Sequence, residues 1–167
     1  EDNAGYTAIP WHYADTGDIA NVKYRQTKGK RFFYESGGKS IGRLVYGLYH
    51  ARKSLDSVVI CEAEIDAMSW LSVGINAVAT GSAHISRRQA ELIRRSGFRT
   101  IYAAGDMDEQ GRMFNDMIVR EFRGYAELRV ITDMRGYKDA NDVLRYGGHE
   151  ALADVIRTYE SISSFTH

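Results

Sequence analysis

Residues 57–74 read "SVVICEAEIDAMSWLSVG". The short apolar run Val58 to Cys61 passes straight into Glu62, Glu64 and Asp66. A continuous β-branched run of this length fits a strand buried on both faces. From Glu64 the period changes: Ile65, Met68 and Leu71 fall on one side of a helix, and Gly74 supplies its stop. A strand feeding directly into a helix is half of a βαβ unit. The carboxylates therefore stand at the strand's carboxyl end, where open parallel sheets bind their ligands.

The same rhythm continues downstream. "INAVATG" (75–81) reads as a second strand, and Ser86 as the N-cap of a helix over "RRQAELIRRSG" (87–97). "FRTIYAAG" (98–105) is a third strand. "DEQGRMFNDMIVREFRG" (108–124) is a helix whose Met113, Phe114, Met117, Ile118 and Phe122 are expected in the core, and "AELRVIT" (126–132) is a fourth strand. Strand and helix alternating in this way predict an α/β fold with a parallel sheet flanked by helices on both faces. The amino-terminal part differs. "ADTGDIANVKYRQTKGKRFFYESGGKS" (14–40) alternates polar and apolar residues around turns at Thr16-Gly17 and Lys28-Gly29, which predicts two or three antiparallel strands.

Three units follow: a basic β-rich annex over 1–52, an α/β domain over 53–150, and a C-terminal helix or tail over 151–167. The 167 residues suffice for one sizeable core with a smaller annex. No apolar run is long enough to span a bilayer, and no basic-then-apolar leader marks secretion. The expected location is cytoplasmic. The chain begins at Glu1 and not Met, so it is expected to be a piece of something longer. The single Cys61 builds neither a disulfide framework nor a Cys-rich zinc module.

Charge is balanced overall, with 22 basic and 22 acidic residues, and it is sorted along the chain. Glu62 and Asp66 lie one helical turn apart and project from one corner, whereas Glu64 faces elsewhere. Asp106 and Asp108, two apart in an extended segment, point the same way. Asp139 and Asp142 follow the fourth strand. Acids in a helix's first turn often serve only the macrodipole or a cap, but capping alone does not require several strand ends to deliver carboxylates to one edge. Oxygen ligands without a nearby His or Cys suit a hard cation, Mg²⁺ or Mn²⁺. The five histidines are scattered without ligand spacing.

Arg87, Arg88, Arg94, Arg95 and Arg99 form one basic group, with solvation as the plain reading of Arg94 and Arg95. Lys23, Arg25, Lys28, Lys30 and Arg31 form another. Beside Tyr24, Phe32, Phe33 and Tyr34, the cations Lys23, Arg25 and Lys30 are candidates for holding phosphates on a ribbon that also offers stacking faces.

"VVICEAEIDAMS" (58–69), "AAGDMDEQGR" (103–112) and "YKDANDVL" (137–144) together resemble the Toprim domain, a Rossmann-like α/β module of bacterial-type primases, topoisomerases and several nucleases. "KYRQTKGKRFFYESGGKSIGRLVYGLY" (23–49) ahead of it resembles the phage and mitochondrial style of replicative primase-helicase. The resemblance runs from about Tyr13 to Gly148. It implies Glu62 as general acid/base or metal ligand, Asp66 as its companion, and Asp106 and Asp108 as an Asp-x-Asp pair holding Mg²⁺. Lys138 and Asp139 would lie at the rim, contacting nucleotide phosphate or a second metal. Lys23, Arg25 and Lys30 would face the nucleoside triphosphate or the template. Ala63 departs from the family's usual Gly.

The implied activity is that of a DNA primase core, a nucleotidyltransferase that polymerises ribonucleotides on single-stranded DNA. The implied partners are the template, ribonucleoside triphosphates and a replicative helicase, fused or separate, in a nucleoid or phage replication complex and not at a membrane. Two other classes remain open: a Toprim nuclease or topoisomerase module, for which no tyrosine stands in a recognisable nucleophile setting, and a non-catalytic scaffold for single-stranded DNA.

Overall fold

The computed structural model describes residues 5–51 and 56–162. The boundary expected between residues 52 and 53, and positions 163–167 of the expected tail, lie outside the described residues.

Strands β1 (Tyr6–His12), β2 (Ile19–Gln26) and β3 (Phe32–Tyr34) form a three-stranded antiparallel sheet in sequence order. The turn at Gly17 carries a positive φ of 79°, where a Cβ is disfavoured. A 3₁₀ turn (Ile41–Arg43) and a short helix α1 (Leu48–Ala51) lead to the second sheet.

That sheet has five strands in the order β5 (Ala77–Ala79), β4 (Ser57–Cys61), β6 (Thr100–Ala103), β7 (Glu127–Ile131) and β8 (Tyr159–Ile162). The first four are parallel, and β8 joins β7 antiparallel. The sequence suggested only a helix or tail after residue 151; the chain there completes helix α6 (Gly148–Val155) and then returns as an edge strand. The remaining helices are α2 (Glu64–Ser72), α3 (Arg87–Arg94), α4 (Glu109–Phe122) and the short α5 (Ala140–Asp142), which runs into a π-helical turn, Val143–Gly147.

Both faces of the larger sheet are buried, as the continuous apolar runs require. Val58, Ile60, Ile101 and Leu128 pack with Ile93, Phe114, Ile118 and Phe122 on one side. Val59, Cys61, Tyr102 and Ile131 pack with Trp70, Val143 and Leu152 on the other. Met113 does not join this core: it is 60% exposed. Phe114, Ile118 and Phe122 recur every four residues along α4, and Met113, one position earlier, is rotated about 100° off their stripe.

The two sheets are tied together. The backbone of Tyr46 makes an antiparallel bridge to Ala79, with Tyr46 N–H donating to Ala79 O at 2.9 Å and Ala79 N–H to Tyr46 O at 3.1 Å. Ser86 and Gln89 form the capping box of α3. The Gln89 amide also donates to the carbonyls of Leu44 at 2.9 Å and Thr80 at 2.8 Å, stapling the annex connection to the larger sheet.

Candidate metal centre

The carboxyl ends of β4 and β6 and the loop after β7 meet at one corner. Asp66, Asp106 and Asp139 each bring a carboxylate oxygen to within 4.8 Å of the others. Backbone contacts fix them. Asn141 N–H donates to Asp66 Oδ1 at 3.0 Å, and Met107 N–H donates to the Lys138 carbonyl at 2.7 Å, locking the 106–108 loop to the 137–139 loop. Asp139 caps α5, accepting from Asp142 N–H at 2.8 Å.

The path of β6 into α4 depends on two glycines packed backbone to backbone. A Cβ on Gly111 would lie 1.8 Å from the Asp106 carbonyl oxygen, and one on Gly105 would lie 2.4 Å from that of Gly111. The buried Asn115 side chain accepts the Gly105 N–H at 2.8 Å. These three residues set the direction in which Asp106 points. Both glycines were visible in the sequence; their contact was not.

Glu62 and Asp108 flank the triad and stand outside it. Glu62 is half-buried, and its Oε1 accepts Asp106 N–H at 3.2 Å. Asp108 caps α4 by accepting Gly111 N–H at 2.9 Å. Lys138 Nζ bridges the 106–108 pair, 2.8 Å from Asp106 Oδ2 and 3.8 Å from Asp108 Oδ2. Ala63 sits at φ −107°, ψ 150°, extended backbone open to any residue, so its methyl brings no strain.

Electrostatics at the corner are those of crowded, partly dehydrated carboxyls. Burial, then the charge of Asp139, pushes Asp66 up to about 7. Burial also raises Glu62 and Asp139. The hydrogen bond to Asp106 raises Lys138. Three carboxylate oxygens, one from a group that resists ionising without a counter-charge, make a donor set that fits a divalent hard cation.

The basic candidates divide. Arg25 lines a cavity of about 300 Å³ together with Glu62, Asp66, Asp106, Lys138 and Asp139. A larger cavity of about 690 Å³, lined by Arg112, Tyr137 and Thr132, shares Asp106 and Lys138 with it. Lys30 is exposed in the β2–β3 turn, away from these linings. Lys23 is buried. Its Nζ lies 2.9 Å from Oε2 of Glu64, whose Oε1 accepts the Trp11 indole N–H at 3.1 Å. Glu64 faces away from the triad, as its helical angle requires, and is only 1% exposed.

Comparison with known proteins gives one family. A model described as Toprim-like matches residues 59–144. A search of the curated proteins finds no match in sequence. Among solved structures, the zinc-binding and RNA polymerase domains of the Aquifex aeolicus primase superpose with a TM-score of 0.78 at 22% identity, over 94% of this chain and 41% of that one. A DnaG primase catalytic domain bound to single-stranded DNA gives 0.74 at 20%, over 93% and 52%. The primase fragment of the bacteriophage T7 primase-helicase gives 0.72 at 19%, over 93% and 64%. The fold is the one these proteins share. This chain spans less than two thirds of the length of each.

Proposed function

Since the chain belongs to the Toprim-like family, we propose that it is the catalytic core of a metal-dependent DNA primase, joining ribonucleotides on a single-stranded DNA template. The observation that carries this reading is the convergence of Asp66, Asp106 and Asp139 within 4.8 Å, in a cavity that the annex strand β2 also reaches through Arg25. Cations beside the carboxylates suit a substrate that brings its own negative charge.

Asp66, Asp106 and Asp139 would hold Mg²⁺, with Glu62 and Asp108 adjacent; Mn²⁺ fits the same oxygen donors. When bound, the ion would polarise the α-phosphate and lower the pKa of the attacking hydroxyl. The protein's part is positional and electrostatic. A primer 3′-hydroxyl attacks the α-phosphate of the incoming nucleotide, a P–O bond forms, and pyrophosphate leaves. Glu62, with a carboxyl raised by burial, would accept the hydroxyl proton. Lys138, more than half exposed and able to swing from Asp106, and Arg25 would neutralise the triphosphate. Lys30 would meet the template from the ribbon turn. Lys23, paired with Glu64, supports the ribbon from beneath.

The partners of this reading are single-stranded DNA, ribonucleoside triphosphates and a replicative helicase, fused or separate, in a cytoplasmic nucleoid or phage replication complex. Similarity to a primase bound to single-stranded DNA and to a primase-helicase fragment supports the template and the helicase. No helix among the described residues is long and apolar enough to cross a membrane. The test is incorporation of labelled ribonucleotides on a single-stranded template with Mg²⁺, run beside a nicking assay on supercoiled DNA. Primer synthesis lost in Asp106→Asn supports the reading. Nicking without synthesis assigns the corner to DNA cleavage, and neither activity, with single-strand binding intact, assigns a scaffold.

A further inference from the structure

Side chains alternate across a strand, so Lys23 and Arg25 share one face of β2, while Tyr24 takes the other. The register extends this to β3. Lys23 pairs with Tyr34, and Arg25 with Phe32, so all four share a face, whereas Tyr24 pairs with Phe33 on the opposite one. The Lys23 face looks onto the larger sheet: Lys23 meets Glu64, and Arg25 enters the carboxylate cavity. Two adjacent phenylalanines thus have opposite surroundings.

On the outer face the rings satisfy one another. Phe33 stacks on Tyr24 at 5.0 Å and 22°, and meets Tyr6 edge-on at 5.3 Å. Among the described residues Phe32 has no such stack. It is 55% exposed, touched at its edge by Tyr34 with centroids 6.0 Å apart. The Lys23 ammonium lies 4.4 Å from its centroid. That cation–π contact, from a lysine itself immobilised by Glu64, fixes the ring's orientation. A single exposed phenyl is ordinary. This one is held by a buried ion pair and stands directly across the ladder from Arg25, which lines the carboxylate cavity.

We propose that Phe32 is the stacking half of a nucleotide subsite, taking the base of a ribonucleoside triphosphate whose phosphates lie between Arg25 and Lys138. The ligand class rests on the primase reading; the place rests on the register. An aromatic face accepts any base, which suits a site where template pairing, not the protein, selects the nucleotide.

Tryptophan at position 32 reports on this directly, because Trp11 and Trp70 are fully buried. Titrating Phe32→Trp with ATP and Mg²⁺ is expected to quench emission saturably, with no such quench in Phe33→Trp. Phe32→Ala is expected to weaken ATP binding roughly tenfold, and to leave binding of ribose 5-triphosphate, which has no base, unchanged. Equal losses for both probes, equal quenching at both positions, or no ATP binding by Phe32→Trp would overturn the inference. If wild type makes no primers yet the loss depends on the base, the subsite stands and the primase reading falls. If wild type makes primers and Phe32→Ala binds ATP normally, the subsite falls and the reading stands.

Discussion

Lys23 Nζ sits 2.9 Å from Glu64 Oε2, with both side chains closed off from solvent, so a charge on the annex ribbon is neutralised by a charge on the first turn of α2. Removing one member leaves the other buried and unpaired, which costs about 3–5 kcal/mol, whereas replacing both by apolar residues is far milder. Lys23→Met and Glu64→Leu are each expected to lower the urea midpoint strongly, and the double variant to recover much of the loss. Additive losses in the double variant would rule out the pair as the cause.

Divalent-metal binding is expected to track the triad. Asp106→Asn should weaken Mg²⁺ more than roughly tenfold by calorimetry, while Asp116→Asn, an exposed acid on α4, should leave it unchanged. Asp108→Ala should lose its cap, costing about 1 kcal/mol of stability, with a smaller effect on the metal than Asp106→Asn. Equal metal loss in the Asp106 and Asp108 variants would place Asp108 among the ligands.

The raised Asp66 has a pH signature. Its carboxyl binds a proton more tightly in the folded state, at about 7 against 3.8 for the ordinary group. That stabilisation is complete below about pH 4 and is lost as pH climbs through about 7. At about 1.4 kcal/mol per unit the effect is on the order of 4 kcal/mol, and Glu62 and Asp139, also raised, act with the same sign. Without divalent ions the denaturation midpoint should fall as pH rises across this window, and Asp66→Asn should flatten the curve. A midpoint that rises with pH in wild type would contradict the assignment.

Gly111→Ala sets two effects against each other. Alanine favours helix by about 1 kcal/mol, but the new Cβ would collide with backbone atoms of Asp106 that have no flexible end to move. The collision should win. Stability is expected to drop by about 1–3 kcal/mol, and Mg²⁺ affinity to drop with it because Asp106 is displaced. A variant more stable than wild type would show that α4 slides freely past the loop.

Arg25 and Lys30 should be distinguishable from Lys23 by salt. Each phosphate contact removed should reduce the slope of log K against log salt by about 0.7 for a single strand. Arg25→Ala and Lys30→Ala are expected to do so in anisotropy titrations of an oligodeoxynucleotide. Lys23→Met should change stability and leave the slope near that of wild type.

Much of this architecture could be read from residue order because local signals agreed with the tertiary result. The β-branched runs at Val58 and Ile101, the Ser86 capping box and the stop at Gly74 each act within a few residues. Asp66, Asp106 and Asp139 were legible as strand-end acids for the same reason. What escaped was non-local. β8 carries the short sequence "YESI", with too little apolar character to announce a strand, and becomes one only because β7 offers an open edge. Lys23 carries the charge expected of a phosphate contact, but its partner lies 41 residues away. The Gly105–Gly111 contact depends on the angle between a strand and a helix, which composition does not encode.

The Tyr46–Ala79 bridge has a bearing on how the chain must be handled. β5 is the outermost strand on its side of the larger sheet, and the bridge occupies hydrogen-bonding positions there that would otherwise face outward. A truncated chain begun at Ser57 would retain every carboxylate of the corner but lose Tyr46, together with the Trp11 and Lys23 contacts to Glu64. It would expose an unguarded strand edge and an orphaned buried acid, and such edges recruit other copies. Self-association of that fragment, rather than a clean minimal enzyme, is the expected result.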